Sequence, residues 1–233
     1  MKILGLIPAR KGSKGLKNKN FTKFFRKPLI HFTLKTAYGL NKVLYPFIST
    51  DSPKILRYSK KLSIDGYLRP KKYAGDKSKI IDVIFHALNW LKKNKNQTFD
   101  AVALLQPTSP NRKSQEIKRC IGLFKKKRLN SIFICSKMYQ HPYECLSINK
   151  KGKWNFLNKI VNKKLLRRQE YEGSYFYIDG SFYIAKVNFL KKYKTFLVKD
   201  KSHPFISSIP LNVDINNKFD LKLAKLLNLQ NEK

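Results

Sequence analysis

The chain has 233 residues, 42% of them hydrophobic, and a formal net charge of +36. That is enough length and apolar content for one sizeable α/β domain with its own core, and no apolar run is long enough to span a bilayer. The charge suits polyanionic partners and the steering of small anionic substrates, but the lysines run along the whole chain and no RNA- or DNA-binding motif accompanies them. Cys120, Cys135 and Cys145 are odd in number, lack metal-ligand spacing and follow no secretory layout. They are expected as reduced thiols in a cytoplasmic protein.

The apolar block from Ile3 to Ile7 predicts a buried strand, which Pro8 is expected to stop for want of an N–H. A basic loop follows, with Arg10, Lys14 and Lys19 and the turn-permitting Gly12 and Gly15, and no acid. A strand feeding such a loop is a way to cradle phosphate, although the spacing fits neither a Walker A nor G-x-G-x-x-G. Next come a helix opening at Pro28, a strand over Tyr45–Asp51, a helix opened by Ser52-Pro53 and a short extended piece at Tyr67–Pro70. Ile81, Ile84, Phe85, Leu88 and Leu91 form a helical stripe, with Ser78 or Asp82 as the expected cap.

Ala101–Leu105 reads as a strand running into the turn Gln106–Pro110, Ser114 opens a helix, and Ser131–Cys135 is the next strand. This alternation predicts a mostly parallel sheet flanked by helices. Arg10, Asp51, Arg69 and Gln106 then fall just past strand ends, where such sheets bind ligands. Residues 138–179 lose helical periodicity and read as a small β-rich insertion within a single domain spanning 1–233. Gly180–Ile184 returns as a strand, Phe205–Val213 supplies a last one, and Phe219–Leu229 closes as an amphipathic helix.

Several blocks together resemble the acylneuraminate cytidylyltransferase family. They are Ile7-Pro8-Ala9-Arg10 with Gly12-Ser13-Lys14-Gly15 and Lys19-Asn20, Leu68-Arg69-Pro70, Leu104-Leu105-Gln106-Pro107-Thr108-Ser109-Pro110 with Arg112, Arg168-Gln169, and Val213-Asp214-Ile215. The resemblance implies a nucleotide-binding fold related to glycosyltransferase A domains. It also implies a homodimer in which the 138–179 insertion reaches the partner. The implied reaction joins CTP and a nonulosonic, sialic-acid-like sugar acid to give the CMP-sugar and pyrophosphate, with Mg²⁺.

By the same resemblance, Arg10, Ser13, Lys14, Lys19, Asn20 and Arg69 bind the nucleotide, and Gln106, Arg168 and Asp179 face the sugar. Arg10, Lys14, Lys19 and Asp214 are the implied catalytic groups, with Asp214 and Asn216 at the metal. The family tends to place an acid where this chain has Asn216, and often writes Arg-Pro-Asn-Gly where this chain has Tyr177-Ile178-Asp179-Gly180. The second departure leaves N-acetylneuraminate, legionaminate and pseudaminate all open. Two other readings stand beside this one: a 3-deoxy-manno-octulosonate cytidylyltransferase and a basic nucleic-acid-binding protein.

Overall fold

A computed structural model describes residues 1–13, 15–157 and 173–229. In chain order, β1 (Ile3–Ala9) leads through the basic loop to a short hairpin, β2 (Lys23–Phe24) and β3 (Lys27–Pro28). Then come α1 (Leu29–Tyr38), β4 (Tyr45–Thr50), α2 (Pro53–Lys61), β5 (Asp65–Leu68), α3 (Ile80–Lys95) and β6 (Ala101–Leu104). α4 (Ser114–Lys126) and β7 (Ser131–Lys137) precede a second hairpin, β8 (Leu146–Ile148) and β9 (Trp154–Phe156). β10 (Phe176–Lys186), α5 (Val187–Tyr193), β11 (His203–Ile206) and α6 (Lys218–Leu229) complete the described chain.

The central sheet has the order β11-β7-β10-β6-β1-β4-β5. β10 is antiparallel to both its neighbours, and every other pairing in this sheet is parallel. Strand periodicity sends Ile3 and Ile7 to one face, against Ile30, Leu34 and Ile55 of α1 and α2. Leu4 and Leu6 go to the other, against Ile84 and Leu91 of α3. A smaller apolar cluster joins Leu16 and Phe24 to Val213, Ile215 and Ala224, and so seats the N-terminal loop against the segment before α6.

The structure corrects several boundaries. β1 runs through Pro8 to Ala9 and pairs with β4 as far as Thr50. Leu6 turns its carbonyl toward the β6 side, where Leu105 N–H donates to it at 2.9 Å. Pro8 shares that parity, but β6 has ended by then, so no ladder partner lacks a donor. α3 begins after Lys79 without a side-chain cap, because the Ser78 hydroxyl donates to the Lys72 carbonyl instead. The last strand is only His203–Ile206, and the stretch from Ser207 to Asn217 carries none. β10 starts at Phe176, inside the stretch read as an insertion, and pairs there with Lys137 of β7.

β1 lies between β4 and β6, with successive connections leaving to opposite sides. That makes its carboxyl end a switch point, where an open α/β sheet leaves a crevice for a ligand.

Candidate active site

A cleft of about 320 Å³ opens at this point, lined among others by Arg10, Ser13, Lys19, Asn20, Arg69 and Gln106. β1 delivers Arg10 to its rim, where Nη1 donates to Asp76 Oδ1 at 2.5 Å. The loop is pinned by its own polar groups. Asn20 Nδ2 donates to the Arg10 carbonyl at 2.8 Å, and Lys11 N–H donates to Asp51 Oδ1 at 2.7 Å. Gly15 is required by close approach: a Cβ there would sit 2.3 Å from the Asn216 carbonyl oxygen. Lys14 lies outside the described residues.

That contact brings Lys19 to the 214–216 segment. Its ammonium donates to the Ile215 carbonyl at 2.9 Å and to Asn216 Oδ1 at 3.0 Å. Asn216 Nδ2 donates in turn to Asp214 Oδ2 at 2.8 Å. Burial pulls the Lys19 pKa down; Asp214 opposes the shift, Arg10 adds to it and Asp220 opposes it. Asp220 and Asn217 hold the start of α6 reciprocally, through Asp220 N–H to Asn217 Oδ1 at 3.0 Å and Asn217 N–H to Asp220 Oδ2 at 3.0 Å.

The resemblance puts Asn216 at the metal beside Asp214, where two residues apart on a strand would share a face. There is no such strand, and the Asn216 side-chain oxygen accepts from Lys19. Among the described residues no group of three or more His, Cys, Asp or Glu side chains comes together. The single exposed carboxylate of Asp214 still fits Mg²⁺, which commonly takes one or two carboxylates and completes its shell with substrate phosphates and water.

Opposite the loop, Gln106 opens the turn after β6. The Thr108 carbonyl accepts Ile215 N–H at 2.8 Å, so turn and 214–216 segment are joined. Asp179, expected at the sugar, points inward: the residue is 3% exposed. Its carboxylate accepts from Ser136 Oγ at 2.6 Å, Ser181 N–H at 2.9 Å and Asn212 Nδ2 at 2.9 Å. A carboxylate so satisfied serves the interior. Its neighbour Gly180, at φ +73°, faces Asp214, whose Cγ would lie 3.9 Å from a Cβ placed there. Arg168 lies outside the described residues.

Arg69 is buried, and its Nη1 donates to the Ser49 carbonyl at 3.2 Å. Burial lowers its pKa and Asp51 pushes back. Behind it Tyr67 hydroxyl meets His86 Nδ1 at 2.6 Å and Ser49 Oγ at 3.2 Å. Burial lowers the His86 pKa, and Lys72 and Arg69 lower it further. A folded-state pKa below the unfolded one means that the unfolded chain takes up the proton first, so stability falls as pH drops through the usual histidine range. The melting temperature is therefore expected to fall between pH 7 and pH 5, and His86→Gln to flatten that slope. An identical slope in the variant would remove His86 from the account.

Tyr73, Asp76 and Arg112 were not assigned roles from the sequence. Asp76 carried a signal: it is an acid, among only 14 Asp and Glu in a chain with 50 Lys and Arg, set in a lysine-rich loop. Arg112 carried one as well, as the last residue of the block that begins at Leu104 and resembles the family, whereas Tyr73 carried none.

Known proteins bear on this arrangement. Residues 4–174 match a family model described as Cytidylyltransferase. The CMP-N,N'-diacetyllegionaminic acid synthase of Legionella pneumophila is 31% identical over 237 residues, covering 100% of this chain and 99% of that one. The N-acylneuraminate cytidylyltransferase of Escherichia coli is 26% identical over 227 residues; the match takes in 96% of this chain but only 51% of that protein. In fold the chain is similar to a CMP:2-keto-3-deoxy-manno-octonic acid synthetase complexed with CTP, with a TM-score of 0.69 and 15% identity, covering 99% of this chain and 100% of that one. With the family model matched over most of its length and a full-length relative above 30% identity, the chain belongs to the cytidylyltransferase family.

Proposed function

We propose that the protein transfers CMP from CTP to a nonulosonic sugar acid and releases pyrophosphate. The observation that carries this is the cleft at the carboxyl end of β1, with Arg10, Ser13, Lys19, Asn20 and Arg69 on the nucleotide side and Gln106 across from them. The sugar's anomeric hydroxyl attacks the α-phosphorus and gives up its proton to water; the bond from the α-phosphorus to the oxygen bridging it to the β-phosphate breaks, and pyrophosphate departs with that electron pair. Such transfers depend on positioning and on neutralising phosphate charge. Arg10 and Lys19 supply cations to the triphosphate, Ser13 and Asn20 supply polar contacts, and Arg69 backs the nucleoside. Gln106 holds the sugar. Asp214 would hold Mg²⁺, which supplies charge neutralisation at the phosphates.

The sugar class is supported by relatives named for legionaminic, N-acylneuraminic and pseudaminic acids, the last a Campylobacter jejuni protein 25% identical to this chain. The octulosonate reading has only a likeness of fold behind it. Pyrophosphate release from CTP, measured across legionaminate, N-acetylneuraminate, pseudaminate and 3-deoxy-manno-octulosonate, tests the proposal. No release with any of the first three sinks it. Tight, steeply salt-dependent nucleic-acid binding in the same preparation would favour the polyanion reading.

The working unit in this proposal is a cytoplasmic homodimer. β8 and β9 expose Leu146, Ile148 and Trp154, and β10 exposes Phe176 and Ile178. Apolar side chains gathered on so small a hairpin are better covered by a second subunit than by water. Sedimentation at micromolar concentration is expected to give a dimer; a folded monomer would count against it.

A further inference from the structure

Gln106 lines the cleft, yet its own turn does little to hold it there. Hydroxyls in such turns commonly bond nearby backbone, but Thr108 Oγ1 and Ser109 Oγ are buried without a hydrogen-bond partner. The turn is tied from behind by Arg112. Its Nε donates to the Ser109 carbonyl at 2.9 Å, and its Nη2 donates to the Gln106 carbonyl. Thr33 Oγ1 reaches the same Gln106 oxygen at 3.4 Å. Two residues on from Gln106, the Thr108 carbonyl accepts Ile215 N–H at 2.8 Å, and the Ile215 carbonyl accepts from the Lys19 ammonium at 2.9 Å. One buried guanidinium therefore stands behind both sides of the cleft.

We propose that Arg112 is a positioning residue of the transfer reaction. It clamps the Gln106 and Ser109 carbonyls, and so presents Gln106 to the sugar and steadies the segment that carries Asp214 and the acceptor of Lys19. The inference rests on the function proposed above. The planar fork is what the role requires: its separate N–H groups serve two carbonyls at once, whereas a lysine offers one compact charge. The plainer account is that Arg112 only balances charge. Burial lowers its pKa to about 9, and Asp179 and Asp214 oppose that shift.

Arg112→Lys separates the two accounts, since it keeps the charge and loses the fork. Arg112→Gln is the companion variant, keeping a planar donor without the charge. The full chain is compared with each variant by thermal melting, by CTP binding without sugar, and by kcat and KM for the sugar acid. With melting close to wild type, Arg112→Lys is expected to lose about 10²-fold in kcat/KM for the sugar, the scale set by small misplacements of a reacting group. Wild-type kcat and KM in Arg112→Lys would leave only charge balance and overturn the proposal. Should neither variant fold, Arg112 is a residue of the fold and the proposal fails. An inactive wild-type chain, by contrast, would sink the function reading itself.

Discussion

Lys19→Met is expected to lower turnover by roughly 10²–10³-fold, the usual loss when one preorganised group that stabilises transition-state charge is removed. The lysine is held by the Ile215 carbonyl and Asn216 Oδ1 with its charge beside the cleft, so its position is fixed before any ligand arrives. That is the condition under which a cation stabilises developing phosphate charge without reorganisation. The half-buried ammonium also sets a pH dependence. Because burial lowers its pKa, the alkaline fall in kcat is expected below the ordinary lysine range. Lys19→Arg, with a charge that persists to higher pH, should move that fall upward. Melting curves separate a lost cation from a loosened loop. Wild-type turnover in Lys19→Met, with the fold intact, would take Lys19 out of the site.

Asp214→Ala is expected to cost at least ~10²-fold as well, and with less risk to the fold, since the side chain is exposed and, among the described residues, its carboxylate accepts from its near neighbour Asn216. Its carboxylate is a hard anionic oxygen, joined through Asn216 to Lys19 of the cleft, of the kind Mg²⁺ would choose. Asn216→Asp provides the complementary change. It preserves an oxygen for Lys19, removes the amide donor from Asp214, and sets a second carboxylate close to the first. Two neighbouring carboxylates repel unless a cation lies between them. The variant should therefore reach half-maximal rate at a lower Mg²⁺ concentration. A magnesium titration of both variants reads this directly: an unchanged requirement in Asn216→Asp excludes residue 216 from the metal's surroundings, and full activity in Asp214→Ala dismisses the metal site as drawn.

How much could be read in advance differed by residue. Arg10 and Gln106 were legible because each follows an apolar run, and the parallel strands such runs form in an alternating chain end at the edge where open sheets leave a crevice. Asp179 was misplaced for a related reason. Its neighbours matched a pattern that faces a sugar, but its direction is set by Ser136 on β7 and Asn212 far along the chain. Neither partner can be inferred from spacing. The final strand was drawn too long, to Val213, because Ile209, Leu211 and Val213 alternate as a strand would, yet Leu211 and Val213 are held by the loop and by α6 rather than by a neighbouring strand.

The alternation of strands and helices, the two-faced core and the basic loop at the first strand's end are all local properties of the chain. All of these depend on the local period of apolar residues and on which residues tolerate a turn. Tertiary structure alone decided that Lys19 meets Ile215 across 196 positions, that Gly15 makes room for Asn216, and that Arg112 grips the turn bearing Gln106. These depend on polar groups buried where water cannot serve them, so each must find a partner in space. The partner is then whichever group the packed core brings within reach, however distant it is in the chain.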